Sequence, residues 1–391
     1  MANVSSSNGL EKRPKLRFPG FDDPYRKCRI GDIYGERSQR GAGDMELLSV
    51  TMNDGVMPRS EIEGKDNSSE DKSNYKVVCK GDMVYNSMRM WQGANGVSNY
   101  DGIVSPAYTV LMPTEEIDNQ YFAALFKTSN LINEFRKNSQ GLTSDTWNLK
   151  YPQIRPIRLY IPSLQEQNKI SSFIGTLEER IGKQRQLVDS LKKYKRGLIS
   201  DLFCEKSTQG WTTSRYYFSE IAQRRGEKYD PSSGIEYPCV ELENIEQETG
   251  KILATVPSIE QGSIKNIAKS GDTLFGKLRP YLRKYAFAQQ TMACSSEIWA
   301  LIPSDVVLPK FLFYLVQTEQ FLRVANISSG TKMPRAEWSN IEKAEFYIPD
   351  LPVQRKVVSF LEGMDRRIAF TDSMLICLNR LKASLLQQLF I

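Results

Sequence analysis

The sequence predicts an α+β fold in which two mixed α/β domains alternate with two long helices. The helices are expected to pair with each other as a coiled coil, related by a pseudo-two-fold internal repeat. Segment 161–203 recurs without a gap as segment 348–390, at an offset of 187 positions. Both copies carry apolar residues at alternating steps of four and three, the period of a coiled-coil seam. The mixed segments before the two helices also repeat, at an offset of 190.

Composition limits the function classes. A chain of 391 residues with 40% hydrophobic content can form two or three packed domains. Its net charge of +6 permits a polyanionic partner, and a basic solvated surface explains it equally well. The absence of histidine excludes Ser-His and Cys-His nucleophiles. Six cysteines without C-x-x-C spacing, no secretory signal pattern and no membrane-length apolar run predict a cytoplasmic protein.

The amino-terminal part predicts a loose end followed by a domain. Residues 1–15 are polar and rich in Ser and Asn, which predicts a flexible terminus. Residues 16–160 have the mixed texture of a first domain, with β-like runs at Tyr75–Val78 and Ile103–Leu111. One helix is predicted from about Asn119 to Arg136.

Residues 161–206 predict the central spacer helix. Its helical part, Gln165–Phe203, would be about 58 Å long at 1.5 Å per residue, longer than one compact domain usually needs. The two copies are expected to pair because their seams share polar interruptions as well as apolar positions. These interruptions are Gln184 with Thr371 and Lys195 with Lys382.

The second half predicts the same sequence of elements. Residues 207–347 form a second mixed domain after a linker at Ser207–Gly210, and residues 348–391 form the C-terminal spacer helix. The two halves agree in framework, since Lys80–Arg89 aligns with Ser270–Arg279.

The halves differ between these framework positions. Trp91–Asn95 stands where the second half has Tyr281–Tyr285. One scaffold with two different surfaces indicates two related binding functions with different targets.

At this point the sequence resembles the DNA-specificity subunit of type I restriction-modification systems. The resemblance rests on Gly271–Lys284, on Ile348–Lys356 with its echo Ile161–Lys169, and on the paired helices, and it covers residues 16–391. It implies that each target-recognition domain reads half of a split DNA site and that the antiparallel helices space the two domains. The helix length then limits the separation of the elements to about 17 base pairs.

The same resemblance implies partners and cofactors. The expected partners are double-stranded DNA, two methyltransferase subunits and restriction/translocase subunits. The chain would be non-catalytic and bind no cofactor itself, while S-adenosylmethionine, ATP and Mg²⁺ are expected on the partner subunits.

Candidate DNA-binding residues are cations that suit phosphates, and forked donors and other polar or aromatic side chains that suit base edges and stacking. We expect base contacts where the halves differ and phosphate contacts where they agree. The cluster from Lys277 to Lys284 is the densest of these, although lysines on a solvated edge strand would explain it too. The candidates in the first half are Arg37, Arg40, Arg89, Gln92, Asn95, Thr143, Ser144 and Trp147. Those in the second half are Arg224, Arg225, Lys228, Lys277, Arg279, Tyr281, Arg283, Lys284, Thr331, Lys332 and Arg335.

Two other function classes stay open at this stage. Asp22–Tyr25 is similar to the D-P-P-Y loop of amino-methyltransferases, but it lacks the second proline. Glu63–Lys65, with Asp54 upstream, resembles the acid-and-lysine pattern of nucleases, but it lies in the charged stretch 61–73, which predicts a loop or insertion. A nuclease or methyltransferase would show turnover by the isolated chain, and a protein-protein scaffold would assemble without DNA sequence preference.

Overall fold

The computed structural model describes residues 13–41, 45–52, 54–64, 66, 68–204, 211–260, 264–327 and 333–391. The chain divides into two compact units. Unit 1 comprises Met1–Lys183 with Met374–Ile391, and unit 2 comprises Gln184–Ser373. Both boundaries fall inside long helices, so each unit holds part of both. The predicted linker Ser207–Gly210 lies outside the described residues, as do positions 1–12 of the predicted flexible terminus.

Unit 1 consists of short strands, short helices and helical segments from both repeats. Its strands are β1 (Arg26–Arg29), β2 (Tyr34–Glu36), β3 (Leu48–Thr51), β4 (Gly55–Pro58), β5 (Lys76–Val78), β6 (Met83–Asn86), β7 (Asn95–Val97), β8 (Gly102–Val104), β9 (Tyr108–Pro113) and β10 (Arg158–Ile161). Its helices are α1 (Ile30–Ile33), α2 (Asn119–Leu125), α3 (Ser129–Asn138), α4 (Tyr151–Ile154) and the first part of α5 (Leu164–Leu202). The main sheet has the order β2-β9-β6-β7, and β1 pairs with β10, β3 with β4, and β5 with β8.

The core of unit 1 is aromatic. Tyr34 meets Phe122 edge to face with ring centroids 5.6 Å apart, and Phe126 meets Phe135 in the same manner at 5.5 Å. Phe390, from the second sequence segment of the unit, packs on the ring of Tyr121 at 5.1 Å. Burial of such rings from water is the main stabilising contribution, so the second segment completes this core.

Unit 2 repeats this plan. Its strands are β11 (Thr213–Tyr217), β12 (Ala222–Arg224), β13 (Lys228–Tyr229), β14 (Pro238–Val240), β15 (Val256–Pro257), β16 (Lys265–Ala268), β17 (Thr273–Gly276), β18 (Tyr285–Phe287), β19 (Met292–Ser295), β20 (Ile298–Pro303) and β21 (Glu345–Pro349). Its helices are α6 (Phe218–Ile221), α7 (Pro309–Leu315), α8 (Glu319–Ala325), α9 (Trp338–Ile341) and most of α10 (Leu351–Leu389). The sheets have the orders β12-β20-β17-β18 and β13-β16-β19-β14-β15, and β11 pairs with β21.

The strand registers confirm the internal repeat. In unit 1, β2 pairs with β9 with Tyr34 opposite Pro113. In unit 2, the equivalent strands β12 and β20 pair with Ala222 opposite Pro303. The four-stranded sheets therefore match in order and in register, and a residue of one unit can be compared with its equivalent in the other.

The structure confirms the predicted pair of long helices. Each has 39 residues. α5 lies within one residue of the predicted helical part Gln165–Phe203, and α10 falls inside the predicted segment 348–391. Within unit 2, Gln184 of α5 bonds Thr371 of α10, and Lys195 pairs with Asp365. The position on α10 falls as the position on α5 rises, so the two helices run antiparallel there.

Two predicted elements differ in detail. The single helix expected at about Asn119–Arg136 is two helices, because Thr128 has extended backbone angles and starts α3 as its N-cap residue. The run Ile103–Leu111 is two strands, because a turn carrying Pro106 separates β8 from β9, with the Tyr108 amide donating to the Ser105 carbonyl. A proline cannot donate to a strand ladder, which favours a break at this point.

None of the helices in the described part of the chain has the length and apolar character needed to cross a bilayer.

Candidate nucleic-acid interface

A buried glutamine ties each domain to the start of its long helix. The amide of Gln167 accepts from the Asp118 amide at 3.1 Å and donates to the Pro162 carbonyl at 3.0 Å. In unit 2 the equivalent Gln354 accepts from the Leu308 amide at 2.8 Å and donates to carbonyl oxygens of Val306 and Pro349. Each glutamine satisfies backbone groups from both elements, which fixes the helix start against the domain.

One candidate arginine in each unit forms a structural ion pair. Arg37 donates from Nε and Nη2 to Asp82 at 2.6 and 3.0 Å. Arg225 does the same to Asp272 at 2.6 and 2.9 Å. The aspartates are buried, and the hydrogen-bonded carboxylates raise the pKa of both guanidinium groups. These two candidates therefore lie in the framework that the halves share, with Nε and Nη2 of each engaged by the buried aspartate.

Two loops of unit 1 lie side by side and carry several candidates. The Leu149 amide donates to the Ser87 carbonyl at 2.8 Å, and the rings of Trp91 and Trp147 meet edge to face at 5.1 Å. Arg136 lies over the Trp91 ring at 5.8 Å. The hydrogen bond and the tryptophan pair between the two loops place the exposed candidates of both loops on one surface. They are Arg89, Gln92, Thr143 and Ser144, with half-buried Trp147 beside them.

The other two candidates of unit 1 differ from this group. Arg40 is exposed and its Nη1 donates to the side chain and carbonyl of Asn74. Asn95 is fully buried in β7, where its amide donates to the Gly93 carbonyl at 3.1 Å. Its side chain is therefore not presented on the surface where it was expected.

In unit 2 the corresponding loops are also held together. The Arg279 amide donates to the Pro334 carbonyl at 2.7 Å, and the Ala336 amide donates to the Lys277 carbonyl at 2.8 Å. Tyr281, in the first of these loops, is 54% exposed. Arg279 and Arg283 both have left-handed backbone angles, with φ of +52° and +51°, a conformation rare for non-glycine residues. Candidates Thr331 and Lys332 lie outside the described residues.

The cations of this cluster differ in their partners. Arg283 pairs with Glu319 at 2.7 Å, and Lys284 donates from Nζ to the Leu242 carbonyl at 2.6 Å. Glu297 lies 3.1 Å from Arg335 and 4.0 Å from Lys277. In the part of the chain that the structure describes, Arg279 has no acidic partner, which leaves its charge available to a phosphate.

A second cationic surface of unit 2 lies around Arg224. Its guanidinium is 4.8 Å from the ring centre of Trp338 and 5.9 Å from that of Trp299. Nearby, Lys228 donates from Nζ to Asn266. The sequence reading missed Trp299 and Asn266, because each lies in a strand and points to this surface only through the strand register.

The two enzyme-like motifs are not assembled into sites. Tyr25 of the first is buried, with its hydroxyl 3.4 Å from Glu166. In the second, Lys65 lies outside the described residues and Asp54 lies in the turn between β3 and β4. Over the described ranges, no group of three or more Cys, Asp or Glu residues is arranged to hold a metal ion.

Comparisons with known proteins follow the internal repeat. The family model described as the type I restriction modification DNA specificity domain matches residues 31–193 and again residues 219–379. The specificity subunit of the type I restriction enzyme EcoDI from Escherichia coli is 23% identical over 294 residues, which cover 64% of this chain and 64% of that protein. The MjaVIII specificity subunit from Methanocaldococcus jannaschii is 22% identical over 330 residues, 76% of each chain. The alignment with the EcoDI subunit thus spans less than two thirds of its length.

Solved structures show the same fold. A chain from a study of complex assembly and conformational transition of the type I R-M system superposes with a TM-score of 0.60 at 16% identity, covering 95% of this chain and 98% of that one. The S subunit of a type I restriction-modification system from M. genitalium gives a TM-score of 0.54 at 14% identity, covering 97% and 99%.

Proposed function

The chain belongs to the type I restriction modification DNA specificity family, and we propose that it is the DNA-specificity subunit of a type I restriction-modification complex. In this proposal each unit reads one short element of a two-part DNA target. The chain itself is non-catalytic. The paired helices α5 and α10, each 39 residues long, set the separation of the two elements.

The observation that carries the proposal is a shared framework with different side chains on it. The ion pairs Arg37–Asp82 and Arg225–Asp272 hold equivalent turns in the two units. Between such framework contacts, unit 1 presents Trp91 against Trp147, whereas unit 2 presents an exposed Tyr281. Side chains that differ on equivalent loops suit two readers with different base sequences.

The proposed partners follow from the family. They are double-stranded DNA, two methyltransferase subunits and restriction/translocase subunits, and the complex acts in the cytoplasm. S-adenosylmethionine serves the methyltransferase subunits, and ATP and Mg²⁺ serve the restriction subunits. The chain's contribution is to place those subunits at a DNA sequence.

Methylome sequencing of cells that express the chain with its cognate methyltransferase tests the proposal. The expected result is one new methylated-adenine motif made of two short elements around a fixed gap. A chimera that takes residues 16–160 from a relative of different specificity should change only one element. A continuous motif would contradict two separate readers, and an intact complex without any motif would favour a scaffold.

A further inference from the structure

A cavity in unit 2 has the chemistry of a nucleic-acid base subsite. Its volume is about 540 Å³, and it opens beside β12. Cationic and aromatic side chains line it together, among them Arg224, Lys228, Lys277, Trp299 and Trp338. Cations beside aromatic faces are a typical combination for binding nucleic acid.

Arg224 is the exposed cation that two rings hold in place. The centre of its guanidinium lies 4.8 Å from the Trp338 ring and 5.9 Å from the Trp299 ring, within cation–π distance. Among the described residues no carboxylate pairs with it, so the hydrogen-bonding edge of the guanidinium is not neutralised. Stacking limits the rotation of a long side chain and lowers the entropy cost of using it for recognition.

The equivalent positions in unit 1 form no such site. Strand register places Glu36 at the position of Arg224, because Glu36 lies opposite Leu111 and Arg224 opposite Leu301. Glu36 pairs with Lys76 at 3.3 Å.

Two further residues that line the cavity have equivalents in unit 1 that bond each other. At the offset of 190, Ser87 stands for Lys277 and Thr109 for Trp299. The Ser87 and Thr109 hydroxyls bond each other at 2.8 Å. In unit 1 these two side chains therefore bond each other, whereas in unit 2 the equivalent Lys277 and Trp299 line the cavity. Trp299 does so from the edge of the core, because it is only 7% exposed.

The neighbouring residue, Arg225, belongs to the framework that both units share and not to the proposed base-reading surface. Arg225 binds buried Asp272, as Arg37 binds Asp82 in unit 1. Arg224 precedes it directly but points to the other surface of the strand, and it has no arginine equivalent in unit 1. A phosphate clamp would suit both halves equally, whereas a residue confined to one half suits the reading of one sequence.

We propose that Arg224 is a specificity-determining residue that recognises a guanine in the element read by unit 2, donating from its fork to guanine O6 and N7, and that Trp338 is the residue that positions it. A stacked guanidinium with a free edge suits guanine, the base that offers two acceptors side by side in the major groove. This inference rests on the proposed function, since it names the chemistry of one of the two readers.

The experiment compares methylomes of cells that express the chain with its cognate methyltransferase. The variants are Arg224→Ala, Arg224→Lys and Trp338→Ala, and Arg215→Ala serves as the matched control. Arg215 is an exposed arginine of the same unit that pairs with Glu345 outside the cavity. Arg224→Ala and Arg224→Lys should both relax one guanine position of one element, with discrimination falling about tenfold to a hundredfold. Trp338→Ala should weaken the same position by less, and Arg215→Ala should leave the motif unchanged.

The other outcomes overturn the inference in distinguishable ways. A split motif in the wild type that stays equally stringent in both Arg224 variants would remove this role while the proposed function stands. Methylation that falls uniformly at all sites in Arg224→Ala and recovers in Arg224→Lys would identify a phosphate contact instead. No split motif in the wild type would overturn the proposed function and this inference with it. Lysine keeps the charge and length of the side chain, so Arg224→Lys decides the question even if the alanine variant assembles poorly.

Discussion

Gln184 donates from Nε2 to the carbonyl oxygen of Thr371 at 2.9 Å, although these two residues are each other's equivalents in the internal repeat. Two equivalent residues can contact each other only where the operation that relates the two halves of the chain exchanges them. The ion pairs of the seam obey the same relation. Lys195 pairs with Asp365 in unit 2, and their equivalents Lys382 and Glu178 pair in unit 1. Polar contacts at a seam fix the register of the paired helices.

These two ion pairs predict different contributions to stability. The Lys195 side chain is 8% exposed and that of Lys382 is 24% exposed. Lys195→Met should therefore lower the free energy of unfolding by about 1–3 kcal/mol, since Asp365 loses its cation but keeps partial hydration. Lys382→Met should cost at most about 1 kcal/mol, because that pair is better hydrated. Urea unfolding followed by hydrogen exchange in each unit measures the stability loss of both variants. Equal losses would show that burial does not determine how much each ion pair contributes.

Gln354 predicts a large effect from a single amide. Its removal in Gln354→Ala leaves the Leu308 amide and the carbonyl oxygens of Val306 and Pro349 without this partner. We expect a loss of about 2–4 kcal/mol in the free energy of unfolding. Gln354→Glu should also destabilise, because a carboxylate cannot donate to the two carbonyl oxygens.

The matched control for Gln354 is exposed Gln387 on the same helix. Gln387→Ala should change the free energy of unfolding by less than about 0.5 kcal/mol. Thermal unfolding of the three variants decides the comparison. A Gln354→Glu variant as stable as wild type would mean that the donated bonds contribute nothing.

Arg279 and Arg283 predict different dependences of DNA binding on salt. Arg279 has no acidic partner among the described residues, whereas Arg283 pairs with Glu319 at 2.7 Å. Arg279→Ala should weaken binding to specific and non-specific duplexes alike and lower the log–log salt slope by about 1. Arg283→Ala should lower the slope less, because Glu319 already neutralises that charge.

Fluorescence anisotropy of the complex with methyltransferase, at several salt concentrations, measures this slope. Arg279→Gly serves as a second variant, because its φ of +52° suits glycine and separates loss of charge from backbone effects. An unchanged slope in both Arg279 variants would exclude a phosphate contact.

The cysteines predict a difference in thiol reactivity with a defined pH dependence. Cys204 and Cys377 are exposed, whereas Cys28, Cys239 and Cys294 are buried. Burial raises the pKa of Cys28 to about 11 and that of Cys294 to about 12. At pH 8 a thiol-reactive dye should label the exposed pair rapidly and the buried three only after unfolding, because the thiolate is the nucleophile.

The sign of the linked stability effect follows from the same pKa values. The folded state holds these protons more tightly than the unfolded state, in which the hydrated thiols have a pKa near the ordinary cysteine value of 9.0. The stabilisation is complete below pH 9 and declines as pH rises towards 11–12. Rapid labelling of Cys294 in the native chain at pH 8, detected by peptide mapping, would contradict this burial.

The sequence predicts the repeated architecture well because its signals are local or periodic. The bounds of α5 follow from the seam to within one residue, and α10 lies inside the predicted segment 348–391. The candidate surface was harder to predict, because its contacts join distant positions. Arg37 meets Asp82 across 45 positions of sequence, and composition alone does not distinguish this arginine from an exposed one.

The burial of Asn95 was equally hard to predict from the sequence. Its position opposite Tyr85 in the sheet buries it, whereas the sequence shows only an amide after a glycine and an alanine. Trp299 was missed because a tryptophan in a strand pattern predicts a core residue, and Trp299 is indeed buried in the core of unit 2. Only the strand register turns its ring towards Arg224.

The division of the two units along the chain also sets an order of events during synthesis. Unit 2 is one continuous segment, Gln184–Ser373, and can form its whole core as soon as that segment has left the ribosome. Unit 1 begins to emerge earlier, yet its core needs Phe390 on Tyr121, and segment 374–391 is made after all of unit 2. The half translated first is therefore completed last. While it waits, the apolar surface around Tyr121 is exposed, which makes this half the one that depends on protection from aggregation in the growing chain.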